Sequence, residues 1–346
     1  MSQTRSLEIK TAATGERALR VGLVGAGMIS AFHLAAWRAR PDARVVAIAD
    51  PDLAAAERRA SEYAVPVAFD GLAALLDAVV VDAVDIVAPR AAHDSLVRLA
   101  VAHGVKNIMC QKPLAGGYDA AKRLMADIDG RARLMVHENF RFRPPYRRLR
   151  AWIDAGRLGE LLSATLAVRG SGLLPDAEGR LPALERQPFF RTEPRLLVAE
   201  TLVHHLDVLR WLFGPLRVLA ARTIRASEAV VGESIASILL ETSDGKPLHL
   251  EGNLVCAGFP ARSDDALQVF GSRASVAFER FALAIHDATP EREVWDPVTA
   301  YQASFDGAIG DFVARVRDGG AFETDIADNL ETLRLVDDVY RAAGAK

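Results

Sequence analysis

Three short stretches of the sequence carry residue types suited to chemistry. In NIMCQKPLAG, residues 107–116, an apolar run ends in Gln111, Lys112 and Pro113. Proline fixes its own backbone and restricts the residue before it, so the lysine is held in direction at the end of a buried strand. An ammonium held this way can stabilise negative charge growing on an oxygen; taken alone, the motif reads better as a surface lysine before a turn. In VAETLVHHLDVLRWLFG, residues 198–214, a helix is predicted on which Glu200, His204 and Asp207 share one face. His205 points about 100° away. A histidine is suited to take up a proton near neutral pH. The same residues include metal-ligand types, but His205 is on the wrong face and no cysteine pair assists, so no metal is expected.

The third stretch is the turn Gly25-Ala26-Gly27-Met28-Ile29-Ser30 after the apolar run LRVGLV. Two glycines let the backbone approach a pyrophosphate, and the helix that follows offers N-terminal amides and the positive end of its dipole. Asp50 lies at the end of the next apolar run, 25 positions after Gly25. A carboxylate there can accept hydrogen bonds from an adenosine ribose and would repel a 2′-phosphate, which favours NAD over NADP. The alternative is that Asp50 caps the next helix or begins the turn with Pro51.

These residues need a scaffold, and the hydrophobic pattern supplies one. From Leu19 to about residue 140, short apolar runs alternate with helical stretches, which predicts a doubly wound parallel sheet of the Rossmann type. Beyond FRFRPPYRR, longer alternating runs joined by turn residues predict an α+β domain on an open, largely antiparallel sheet, closed by two helices. The expected division is a tail over 1–18, a dinucleotide-binding domain over 19–140 and a substrate-binding or oligomerisation domain over 141–346.

Composition bounds the partners. With 42 basic and 45 acidic residues the net charge is −3, so there is no basic field for nucleic acid, and no apolar run reaches membrane-spanning length. Cys110 and Cys256 match no disulfide or zinc spacing, and a cytoplasmic protein is expected.

The glycine turn, IVAPRAAH (86–93), HGVKNIMCQKPLA (103–115), NFRFRPPYRRL (139–149) and ETLVHHLDVLRWLFG (200–214) together resemble the successive motifs of the Gfo/Idh/MocA family, the glucose-fructose oxidoreductase and inositol dehydrogenase group. The resemblance implies that Lys112 sits beside the nicotinamide, that His204 is the acid–base histidine with Glu200 as its partner, and that the last helices pack back toward the Rossmann domain. It also implies that Pro89, His93, Gln111 and Asn139 lie near the cofactor, and that Asn139 and Arg141 lie near the substrate. Arg195 is a further candidate for an acidic substrate group, whereas ion pairing suits Arg143 and Arg191 at least as well.

Two departures stand out: Gln111 replaces the glutamate of a Glu-Lys-Pro signature, and Glu200 replaces an aspartate. The expected function is NAD-dependent hydride transfer to or from a secondary alcohol or ketone of a sugar, cyclitol or related polyol, in a homodimer or homotetramer. An NAD-dependent glycosidase of the same fold and a non-catalytic NAD-binding regulator are the alternatives.

Overall fold

The structure is a computed structural model that describes residues 17–344, so nearly all of the expected 1–18 tail lies outside the described residues. Its first half is a six-stranded parallel sheet of β1 (Leu19–Val24), β2 (Ala43–Ala49), β3 (Ala68–Phe69), β4 (Ala83–Ile86), β5 (Asn107–Gln111) and β6 (Arg133–His137), in the order β3-β2-β1-β4-β5-β6. That order reverses between β1 and β4, and ligands of such sheets bind outside the carboxyl ends of the strands at that point. The strands are nearly continuous apolar runs because helices cover both faces. The covering helices are α1 (Ser30–Arg38), α2 (Leu53–Tyr63), α3 (Leu72–Ala78), α4 (His93–Ala102) and α5 (Tyr118–Ile128). Asp52, not Asp50, caps α2: its side chain accepts from the Ala55 amide at 3.1 Å, a bond worth about 1 kcal/mol.

The chain leaves this sheet through α6 (Pro144–Asp154) and enters an eight-stranded sheet. Its strands are β7 (Leu161–Arg169), β8 (Leu216–Ile224), β9 (Ile235–Thr242), β10 (Pro247–Asn253), β11 (Asp264–Gly271), β12 (Ser275–Glu279), β13 (Ala282–His286) and β14 (Glu291–Val294). The order is β14-β13-β12-β11-β7-β10-β9-β8, antiparallel throughout except where β7 meets β10. Along β9, Ala236, Ile238 and Leu240 are buried while Leu239 faces outward, the two-residue period of a sheet with one covered face. Between β7 and β8 lie α7 (Pro182–Arg186) and α8 (Val203–Phe213). Leu206 and Leu209 of α8 pack on the covered face.

The two closing helices tie the halves together. Helix α9 (Pro297–Asp318) places Phe305, Ile309 and Phe312 in the same cluster as Val21, Leu34 and Trp37 of the first sheet and α1. Helix α10 (Ile326–Ala342) contributes Leu335, Val336 and Val339 to the core of the second half and Leu330 and Leu333 to that of the first. Just before it, Thr324 bonds the backbone of Val136 on β6.

One predicted element is built differently. The helix expected to run through Glu200 begins only at Val203, and residues Leu197–Leu202 form a wider π-helical turn. Its first amides, unpartnered at any helix start, are taken from outside: Leu196 and Val198 donate to the Glu233 carboxylate at 3.3 and 2.9 Å, and Ala199 donates to the Tyr340 oxygen at 3.3 Å. The widened turn ends the simple four-residue stacking of Glu200 on His204.

Candidate active site

At the carboxyl end of β1 the chain turns at Gly25 with φ +109°. A Cβ there would stand 2.5 Å from the Val87 oxygen, so only glycine fits. A Cβ at Gly27 would meet nothing within 4 Å, which leaves the turn open above the amides leading into α1. Asp50 reaches this turn from β2: its Oδ2 accepts from the Ala26 amide at 2.7 Å and its Oδ1 from the Asp52 amide at 2.9 Å. The carboxylate is thereby fixed beside the turn, with lone pairs left for a ribose diol. Met28 is exposed beside Ile29 at the same turn, and Pro89 is exposed at the rim beyond β4.

Lys112 follows β5, and the Lys112–Pro113 bond is cis. Its Nζ donates to the Glu200 carbonyl oxygen at 2.8 Å and lies 3.8 Å from Glu200 Oε2. Arg90 donates to the other carboxylate oxygen of Glu200 at 2.7 Å and also holds Glu193. Burial pushes the Glu200 carboxyl upward, and Lys112 and Arg90 oppose that. Glu200 is therefore the counter-charge of Lys112.

The expected pairing of Glu200 with His204 is corrected. His204 Nδ1 makes a very short hydrogen bond to Oε1 of Glu138, a residue the sequence reading did not single out. Glu138 directly follows β6, is fully buried, and leaves its Oε2 without a partner. Burial, reinforced by the Asp207 charge, raises the Glu138 carboxyl to about 8. Burial also lowers His204 well below its ordinary value, and the Lys112 charge adds to this. Phe140 lies flat against the His204 ring at 4.0 Å, with the Arg143 guanidinium 4.0 Å over the same phenyl ring. Nε2 of His204 has no protein partner among the described residues. A carboxyl-bearing residue next to a histidine at the end of a buried strand was the available signal for Glu138.

Several other expected site residues are drawn elsewhere. Arg141, expected beside the substrate, is almost fully buried and saturated: Nε donates to Asp207 at 2.8 Å, a second nitrogen bonds Asp207 and Asp328, and the third bonds the Glu323 carbonyl. Asp207 thus serves Arg141 rather than His204. Burial alone would raise the Asp207 carboxyl, but Arg141 outweighs it and holds the group low. Asn139 is buried and donates to the Ser304 hydroxyl at 2.7 Å. His93 is buried between the carbonyls of Ala88 and Pro113, at 2.8 and 3.0 Å. Arg195 bonds Asp337, lies 4.1 Å over the Tyr340 ring, and with Arg90 and Pro113 lines a cavity of about 190 Å³. His205 and Arg143 both bind Asp265, a structural ion cluster.

The chain as a whole has known relatives. The oxidoreductase family with an NAD-binding Rossmann fold, Gfo/Idh/MocA, matches residues 19–139, and the C-terminal domain of the same family matches residues 146–277. The chain belongs to this family. A D-apiose dehydrogenase of Paraburkholderia graminis is 30% identical, over 99% of this chain and 92% of its own length. An inositol 2-dehydrogenase of Rhizobium meliloti is 29% identical over 95% and 98%. Among solved structures, an oxidoreductase from Agrobacterium radiobacter in complex with NAD+, L-tartaric acid and magnesium superposes with a TM-score of 0.86 at 25% identity, covering 94% of this chain and 96% of that one. This Gfo/Idh/MocA member is an NAD-dependent dehydrogenase, and the residues present fit that cofactor: open amides over Gly27 for the pyrophosphate and the anchored Asp50 carboxylate for the ribose.

Proposed function

We propose that the chain oxidises a secondary alcohol of a sugar, cyclitol or related polyol, or reduces the matching ketone, with the reacting oxygen between Lys112 and His204. The observation that carries this reading is that the Lys112 ammonium and the Glu138 carboxyl follow the neighbouring strands β5 and β6, with Glu138 holding the His204 imidazole of α8. The relatives named for D-apiose and inositol favour this substrate class.

Bound NAD supplies the hydride acceptor. Lys112 donates a hydrogen bond to the substrate oxygen and stabilises its alkoxide character. When Glu138 is ionised, the imidazole proton sits on Nδ1, and the Nε2 lone pair accepts the hydroxyl proton. When Glu138 is protonated it donates to Nδ1, and Nε2 carries the proton that a ketone oxygen needs in the reverse direction. Glu200 pairs with Lys112 and directs its ammonium. The backbone amides of Ala26 to Ile29 bind the pyrophosphate, and Asp50 binds the adenosine ribose.

Residues 19–140 and 141–346 form the cofactor and substrate domains. The outer face of the second sheet, with exposed Leu239 and Phe270 among Thr165, His249 and Gln268, serves assembly as a homodimer or homotetramer. The free thiols Cys110 and Cys256 accord with a reducing cytoplasm.

The test is nicotinamide absorbance during a screen of polyols, aldoses, uronic acids and inositols with NAD and NADP, run beside Lys112→Ala. NADH that accumulates with one of these and not in the variant supports the proposal. Cleavage of a glycoside without net NADH, or NAD binding with no turnover across the panel, overturns it.

A further inference from the structure

Beneath Lys112 lies a buried polar chain that the reaction as described does not use. Asp85 sits in the middle of the parallel sheet on β4, fully buried. Its Oδ2 accepts from the Trp37 indole at 2.8 Å and faces His33 Nδ1 at 2.8 Å. A carboxylate only accepts, so His33 carries its proton on Nδ1 and presents a lone pair at Nε2. That lone pair is 2.8 Å from the Gln111 amide nitrogen, and Nδ1 of His137 is 3.0 Å from the same nitrogen. On the other side, the Lys112 backbone N–H faces Gln111 Oε1 at 3.2 Å.

These contacts fix the amide at both ends. The oxygen must face the Lys112 N–H, and the two amide hydrogens are spent on two imidazole lone pairs. His137 therefore bears its proton on Nε2, which is buried without a partner. Burial and the neighbouring His33 keep His137 neutral, the rings lie 4.2 Å apart, and Phe305 of α9 closes the far side. The other ionisable group here, the Cys110 thiol, is held protonated by burial and by Asp85. His137 also directly precedes Glu138, so the end of β6 supports Lys112 through one residue and His204 through the next.

We infer that Gln111 is a positioning residue acting through Lys112, its amide clamped between His33 and His137, and that this chain requires an amide rather than a carboxylate at position 111. The inference rests on the reading of Lys112 as the residue on the reacting oxygen. A carboxylate at 111 would set oxygens against two lone pairs, and the site would recover only by protonating an imidazole. That state is present below the raised pKa of the imidazole and is lost as pH rises.

The experiment uses the full chain with NAD, labelled with ¹⁵N-histidine, and two-bond proton–nitrogen spectra that distinguish imidazole tautomers. His33 protonated on Nδ1 and His137, neutral at pH 7, protonated on Nε2 is the expected result. Gln111→Glu should create an imidazolium at pH 7 and lower turnover about tenfold at pH 8, with recovery toward pH 6. Gln111→Met should lower turnover at every pH without a new limb and leave NADH affinity within about threefold. An imidazolium or the opposite tautomer in the unaltered protein overturns the inference, as does Gln111→Glu with an unchanged pH profile. Full turnover in Lys112→Ala would instead remove the reading of Lys112, while the tautomers would still report on the clamp.

Discussion

The cofactor end and the acid–base end of this site are built in opposite ways. The cofactor end comes from one contiguous stretch, Gly25 to Asp50, in which a strand, a turn, a helix and the next strand fold on each other, and Asp50 closes onto the Ala26 amide. The acid–base end draws Arg90, Lys112, Glu138, Phe140 and the 197–207 segment from four separate parts of the chain. A locally built site has its partners fixed by sequence spacing. A site built from distant parts has them fixed by what the fold brings within 3 Å, and there His204 takes Glu138 instead of the Glu200 partner that the family resemblance implies.

Lys112 belongs to the acid–base end alone. Lys112→Ala should reduce turnover by roughly a thousandfold, the scale of losing one charge-stabilising donor, and leave NADH affinity unchanged by fluorescence titration. A parallel loss of NADH binding would mean that the two ends are not separable. Arg141→Ala should act on folding instead: it removes the main partner of buried Asp207, leaving it the Thr332 hydroxyl at 2.9 Å and Arg210 at 3.4 Å, and should cost about 3 kcal/mol in chemical denaturation, with NADH affinity per folded molecule retained. Near-normal stability with a raised KM would return Arg141 to the substrate.

Glu138 sharpens the contrast further. Because its carboxyl is raised to about 8, the pair binds a proton below that value, so oxidation should rise as pH climbs through it and ketone reduction should fall. Glu138→Gln should cost roughly a hundredfold and flatten that limb in a kcat–pH profile. A limb unchanged in the variant would assign it elsewhere. The smallest effect is expected at the local end: Asp50→Ala should weaken NADH about tenfold and narrow its advantage over NADPH, measured by competitive titration. Unchanged discrimination would show that Asp50 serves only the Ala26 amide.

How far the chain was legible from its sequence follows the same division. The strand rhythm and glycine turn specify the parallel sheet and the tight turn after β1, because period and turn chemistry are local properties. The alternating second half likewise specifies an open sheet. The helix through Glu200 was misread because its amides are claimed by Glu233 and Tyr340, partners 30 or more residues away that no window of sequence contains. Asp85, an acid in the centre of a buried strand, makes sense only once His33 and Trp37 of α1 meet it.

The fold class, the nicotinamide cofactor and the residue types of the site, a held lysine, a histidine and acids nearby, are written in local pattern and motif. Which acid serves which base depends on the folded chain. Folding gave Glu138 to His204, Glu200 to Lys112, and Asp207 to Arg141. The physical reason is that a buried charge must find a partner within hydrogen-bond reach, and that reach is set by packing across the core rather than by distance along the chain.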